Sequence, residues 1–289
     1  MMSLYPSPSL LLHEVLEAAK KLPPFPDVVW KVMPLIQKTA PLGEIEAVIK
    51  YDPVITARVL AFSQSPHFSR RHSISSLRDA IVFLGEQQLI QVIVTACSER
   101  YYAGKTPVGY DLREGELWEH AVATALMTEI VGKHLGLGDL FTAYTAALLH
   151  DIGKTVLSHF VESYFDSILT LIKKKRMRFL DAEREILGID HQQLGVLIGE
   201  QWQLPREVIA AVGYHHSPQQ AESNRDLASL VYVADRMVSA LGIGCGVDGF
   251  LQPNQDAVFA ELGISSDLMD RCLADLVEAV RETRTFLTS

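Results

Sequence analysis

Along nearly the whole chain, apolar residues recur three and four positions apart, and no alternating stretch is long enough to compete as a strand. Stripes of that period are buried by packing helix on helix, so the sequence specifies an all-α protein. Caps and breakers divide the pattern. Pro8-Ser9 opens a helix running to Lys21, and Pro23, Pro24 and Pro26 stop it. Residues 27–38 form a second helix with Pro34 inside, where a kink is expected. Asp52-Pro53 is an N-cap followed by a proline at the first helical position, and it starts a helix to about Gln64. Ser76 and Asp79 have capping-box spacing ahead of the apolar run 80–84. Gly85 breaks that run, and another helix follows from Glu86 to about Tyr101.

The stretch 103–109, AGKTPVG, is the best linker candidate. It divides the chain near residue 106 into an N-terminal helical lobe, 9–105, and a second helical lobe, 106–289. In the second lobe a capping-type start at 111–114 opens a long helix that Gly136 closes. Further helices are expected at 139–152, 161–176, 181–187, 190–203, 206–216, 225–241, 254–262 and 266–286. Residues 242–249 hold four glycines and read as a loop. The run 173–178, KKKRMR, reads as a solvated helix end whose cations complement the helix dipole.

Composition narrows the function classes. With 289 residues and 48% hydrophobic content the chain can build a large core without disulfide staples. No run reaches the roughly 18 apolar residues of a membrane span. The start, MMSLYPSPSLLLHEV, places no basic residue ahead of its short apolar stretch, so no secretory signal is read there. Lys and Arg number 26 against 35 Asp and Glu, a net charge of -9 that repels phosphate backbones. Neither a membrane nor nucleic acid is expected as a partner. Three scattered cysteines, with no C-x-x-C, make neither a disulfide framework nor a thiolate zinc site, and cytoplasmic localisation is expected.

The chemistry lies in polar residues that continue apolar stripes. His191 leads the face of Leu194, Ile198 and Trp202, and His215-His216 extend the face of Val208 and Val212. Leu227 and Val231 lead to Asp235. Ala143 and Ala147 lead to His150, with Asp151 beside it and Lys154 four residues on. Glu116 and His120 are four apart on one side of a further helix. A single inward histidine is an ordinary core residue, and an inward aspartate commonly caps a helix or pairs with a cation. Together, these residues would each need a partner in one lobe. A shared divalent-metal site satisfies them at once, because imidazole nitrogen and carboxylate oxygen are its proper ligands.

The segment LLHDIGK, 148–154, resembles the signature of the HD superfamily of metal-dependent phosphohydrolases. In the first lobe, LPPFPDVVWKVM, YDPVITARVLAFSQSPHF and ISSLRDAIVFLGEQQL are similar to the N-terminal half of the bacterial HDOD domain. LWEHAVATA, DHQQLGVLIGEQWQLP and the His215-His216 pair continue the likeness, which covers roughly 15–240. It implies an N-terminal helical lobe packed on an HD-type helical bundle, in a bacterial signalling module. His120, His150, Asp151, His191, His215, His216 and Asp235 stand at every ligand-type position of the related HD-GYP phosphodiesterases. Lys154 matches the lysine after their HD pair, and Glu116 stands where trinuclear versions carry an extra carboxylate. Two departures stand out. The GYP segment is absent, which removes the support for cyclic di-GMP as substrate, and Gln64-Ser65 replaces the usual Asn-Ser.

The resemblance implies about two divalent transition metals, iron or manganese ahead of zinc. It assigns catalytic roles to Asp151 as the bridging carboxylate and to Lys154 beside a phosphoester or nucleotide ligand. Metals at such a site lower the pKa of a bound water. Two functions follow: signalling through a protein partner, or hydrolysis of a phosphoester. The first lobe shows no ligand cluster. Its His67 and His72, in an expected polar loop over 65–73, are expected to be dispensable for metal.

Overall fold

The computed structural model describes residues 8–64, 74, 76–103, 107–138, 140–250 and 256–287, and every regular element among them is helical. The expected loop with His67 and His72, and residues 104–106 of the expected linker, lie outside the described residues. The first helices are α1 (Pro8–Lys20), α2 (Asp27–Gln37), α3 (Leu42–Ile49), α4 (Pro53–Ser63) and α5 (Leu77–Tyr102). Next come α6 (Glu116–His134), α7 (Leu140–Leu149), α8 (Lys154–Ser163), α9 (Phe165–Lys175), α10 (Phe179–Leu187) and α11 (His191–Gln201). The remainder are α12 (Arg206–Tyr214), α13 (Arg225–Ala240), α14 (Val247–Phe250), α15 (Asp256–Glu261) and α16 (Ser266–Leu287). They gather into two compact units. One is built on α1 and residues 101–274, the other on residues 25–100 together with the chain from Asp275 onward.

In the smaller unit the expected caps form. Asp52 Oδ1 accepts the N–H groups of Val54 and Ile55, both at 3.1 Å, ahead of Pro53. Ser76 Oγ accepts the Asp79 N–H at 3.1 Å. Gly85 interrupts α5 with φ 70° and ψ 176°, a left-handed turn of the backbone that glycine adopts without steric cost. By length and hydropathy α5 could cross a membrane, yet Ala80, Leu89, Ile93, Val94 and Cys97 are buried, as in the core helix of a soluble protein.

The larger unit corrects several boundaries. The long helix begins at Glu116 rather than at the expected start over 111–114, because Asp111 takes a left-handed conformation at the end of a short 3-10 turn. The expected helix 139–152 stops at Leu149, so His150 and Asp151 lie in a turn. The expected helix 161–176 is two helices, α8 and α9, broken at Tyr164. The glycine-rich loop contains the short α14. At its centre α6, α7, α12 and α13 pack on one another, with α11 against α12. α1 packs on α8, α10 and α11.

Candidate metal centre

Local structure delivers each ligand-type residue to one place in the larger unit. His120 points inward one turn into α6, and Asp235 lies in the buried stripe of α13. His150 and Asp151 follow α7, with Lys154 at the first position of α8. His191 opens α11, where Asp190 and Gln193 form a capping box that sets the start of the helix. His215 and His216 follow α12 directly. Gly153 permits the turn to approach: a Cβ there would stand 2.1 Å from the His191 carbonyl oxygen.

The side chains converge in two groups, Asp151/His191/His215/His216 and His120/His150/Asp235, and within each group one donor atom per residue lies within 4.8 Å of the others. Asp151 links them. Its Oδ1 faces His215 Nε2 at 3.5 Å and His191 Nε2 at 3.7 Å, while Oδ2 faces His150 Nε2 at 3.4 Å and Lys154 Nζ at 2.7 Å. Asp151 thus stands between the two groups, one oxygen toward each. All seven ligand-type residues are buried.

Four imidazoles are oriented the same way. A carbonyl oxygen only accepts, so Nδ1–H must donate where it meets one. His150 donates to Ala147 O at 2.6 Å, His215 to Val212 O at 2.7 Å and His120 to Ile243 O at 2.9 Å. His191 Nδ1–H donates to Glu183 Oε2 at 2.8 Å. Each ring is thereby held with Nε2 turned inward; at His150 and His215 this is the tautomer a metal needs, while His120 Nε2 stands 3.0 Å from Asp235 Oδ1, a contact that requires a proton or a cation between them. Three inward atoms, His150 Nε2, His215 Nε2 and Asp151 Oδ1, have no hydrogen-bond partner among the described residues. His191 Nε2 meets His216 Nε2 at 2.9 Å, a contact that two lone pairs cannot make without a proton or cation between them.

The electrostatics ask for cations. Asp151 and Asp248 flank the Lys154 ammonium at 2.7 and 2.6 Å, Asp235 stands against His120 and Glu183 against His191, and all four carboxylates and the ammonium are buried. With neutral imidazoles, four carboxylates against one ammonium leave three negative charges in a low-dielectric interior, where each unpaired charge costs several kcal/mol. Burial opposes the imidazolium form of His191, but the Glu183 carboxylate outweighs it and raises the pKa to about 9. Burial also opposes a charge on His120, which Asp235 overcomes, so its pKa rises too. Protonating both would still leave the cluster negative. Two divalent ions would carry it to a single positive charge. Burial lowers His215 to about 4 and drives His216 down as well, which suits neutral ligands. Burial resists ionisation of Asp151, but Lys154 and then His150 hold it well below the usual carboxylate range. The donor set therefore fits the metals that the resemblance implies.

One expected ligand stands apart. Glu116 is outside both groups: its Oε2 accepts the Arg113 N–H at 2.7 Å, because a carboxylate in the first helical turn is retained by unsatisfied backbone donors. Two residues escaped sequence reasoning. Glu183 is fully buried against His191; its signal was there, since Phe179, Glu183 and Leu187 form one stripe of α10. Asp248 lies 2.6 Å from Lys154 Nζ, within a glycine-rich stretch that carries no periodicity to mark it.

A family model described as the HDOD domain matches residues 22–218. A crystal structure of an HDOD domain protein with unknown function from Geobacter sulfurreducens superposes with a TM-score of 0.73 at 25% identity, covering 96% of each chain. An uncharacterized protein of Treponema pallidum is 24% identical over 211 residues, 69% of this chain and 38% of that protein. Ribonuclease Y of Thermus thermophilus is 30% identical over 122 residues, 42% of this chain and 16% of that enzyme. The chain thus spans less than half the length of these two curated relatives. Since the matched residues 22–218 make up well over half of its length, the chain belongs to the HDOD domain family.

Proposed function

We propose that this chain is a bacterial, cytoplasmic HDOD regulatory protein whose paired His/Asp groups hold two divalent transition-metal ions and receive a phosphoester or nucleotide ligand. The supporting observation is the common orientation of His120, His150, His191 and His215, each anchored through Nδ1 with Nε2 turned toward the paired groups, and unpaired there at His150 and His215. Bound ions of this class supply Lewis acidity and lower the pKa of water. Mixed nitrogen and oxygen donors suit iron, manganese or zinc, with iron or manganese preferred from the family resemblance. Asp151, which stands between the two groups, would serve both ions. Lys154, held at 2.7 Å from Asp151 and 2.6 Å from Asp248, fixes the Asp151 carboxylate and would add positive charge beside a phosphoester ligand. A protein partner carries the signal onward.

Hydrolysis of a phosphoester is the second reading. It is favoured by the Lys154–Asp151 pair and by the partial likeness to a protein named ribonuclease Y. Elemental analysis of protein prepared without added metal, then after reconstitution, tests the metal reading. About two equivalents are expected; less than about half an equivalent of any transition metal after reconstitution would refute it. A broad phosphoester screen on the same preparation separates hydrolysis from ligand binding.

A further inference from the structure

Glu183 has no place among the ligand-type residues, yet its carboxylate is fully buried and three donors converge on it. Oε2 accepts the ring Nδ1–H of His191 at 2.8 Å and the His191 main-chain N–H at 3.2 Å. Oε1 accepts the Tyr110 hydroxyl at 2.5 Å, and the Tyr110 ring is itself fully buried. Burial, then the neighbouring Glu183 charge, push the Tyr110 hydroxyl pKa well up, so this group remains a proton donor.

The arrangement differs from that of the other three anchored histidines. His120, His150 and His215 rest on backbone carbonyls, which are neutral. His191 alone among these four rests on a carboxylate, and that carboxylate is itself aimed by Tyr110. A charged acceptor on Nδ1 fixes the tautomer and makes Nε2 a stronger donor to a cation than a carbonyl would. It also places a second negative charge near one group only. The His120/His150/Asp235 group has its own carboxylate in Asp235. The Asp151/His191/His215/His216 group has only the shared Asp151, unless Glu183 is counted through the His191 ring.

We infer that Glu183, aimed by Tyr110, is the positioning residue that makes His191 a metal ligand and sets the affinity of one of the two cation sites, the Asp151/His191/His215/His216 site. This rests on the metal reading above. It goes further by assigning unequal control to the two sites: Glu183 acts on one and not on the other.

The test is calorimetric titration of manganese(II) into the chelator-stripped full chain. Wild type takes up two equivalents. In Glu183→Gln one equivalent is expected to weaken about 10- to 100-fold, the range for loss of a partner to a ligating histidine, while the other keeps its affinity. Tyr110→Phe leaves the carboxylate in place, and is expected to weaken the same equivalent by a smaller factor. Nitrogen-15 spectra of the histidine rings supply a readout that a purely structural role would not move. At a pH above the His191 value of about 9, where the ring is neutral, metal-free wild type is expected to hold Nδ1 of His191 protonated, and Glu183→Gln to show a mixture of tautomers. The inference is overturned if both equivalents weaken alike, or if neither changes and the His191 ring signals stay put. If Glu183→Gln does not fold, Tyr110→Phe decides on the same criteria. Wild type that binds no metal defeats the metal reading; wild type with two sites that Glu183→Gln leaves intact defeats this inference alone.

Discussion

Replacing Gly153 with alanine probes how the two halves of the centre are brought together. The new Cβ would stand 2.1 Å from the His191 carbonyl oxygen, 2.9 Å from its carbonyl carbon and 3.1 Å from the Gly195 nitrogen. Non-bonded heavy atoms settle at about 3.5–4.0 Å, so the start of α11 must withdraw from the His150-Asp151 turn by on the order of an ångström. Backbone, not a flexible side-chain tip, has to move. Overpacking of this kind costs about 1–3 kcal/mol. For a chain of this size that lowers the melting temperature of the metal-free protein by on the order of 5 °C. The same withdrawal carries His191 Nε2 away from Asp151 Oδ1, from which it stands 3.7 Å. Metal binding should therefore weaken too, and the stabilisation that saturating manganese confers should shrink with it. Differential scanning calorimetry with and without manganese reads both effects. Gly43→Ala is the control, since nothing lies within 4 Å of a Cβ there and the site is within α3. A Gly153→Ala protein with the melting temperature and metal response of Gly43→Ala would refute the close-approach reasoning.

Three further outcomes are expected. Asp151→Ala should strip most of the metal while Glu116→Ala leaves it nearly unchanged, because only Asp151 stands between the two groups; equal losses by elemental analysis would overturn the bridging role. Burial, then the nearby Asp52 charge, push the Cys97 thiol to about 12, so native protein at pH 8 should resist alkylation at Cys97, and rapid labelling there by mass spectrometry would contradict its burial. His150→Ala should remove at least half the metal, whereas changing His67 and His72 together to alanine should leave metal content unaltered; severe loss in the double variant would place ligands in the first lobe.

Periodicity and caps made the helical class legible, and the Asp52-Pro53, Ser76/Asp79 and Asp190/Gln193 starts are local chemistry that needs no tertiary partner. The ligand-type histidines and aspartates could be picked out because each continues an apolar stripe, which turns a polar group inward wherever the helix packs. Helix ends were harder. Periodicity alone did not show that the expected helix 139–152 stops at Leu149, nor that Gly153 comes to lie against the His191 carbonyl, some forty residues on. Glu116 had the right spacing beside His120 but a nearer claim on its charge, the free backbone donors at the start of α6. Glu183 carried the stripe signal, but its role exists only because Tyr110, far away in sequence, and His191, at the start of the next helix, both meet its carboxylate. Asp248 carried no signal at all. Residue spacing specifies which way a side chain faces along its own helix; only packing decides which charge it meets there, because the energy of a buried carboxylate depends on the donors that surround it.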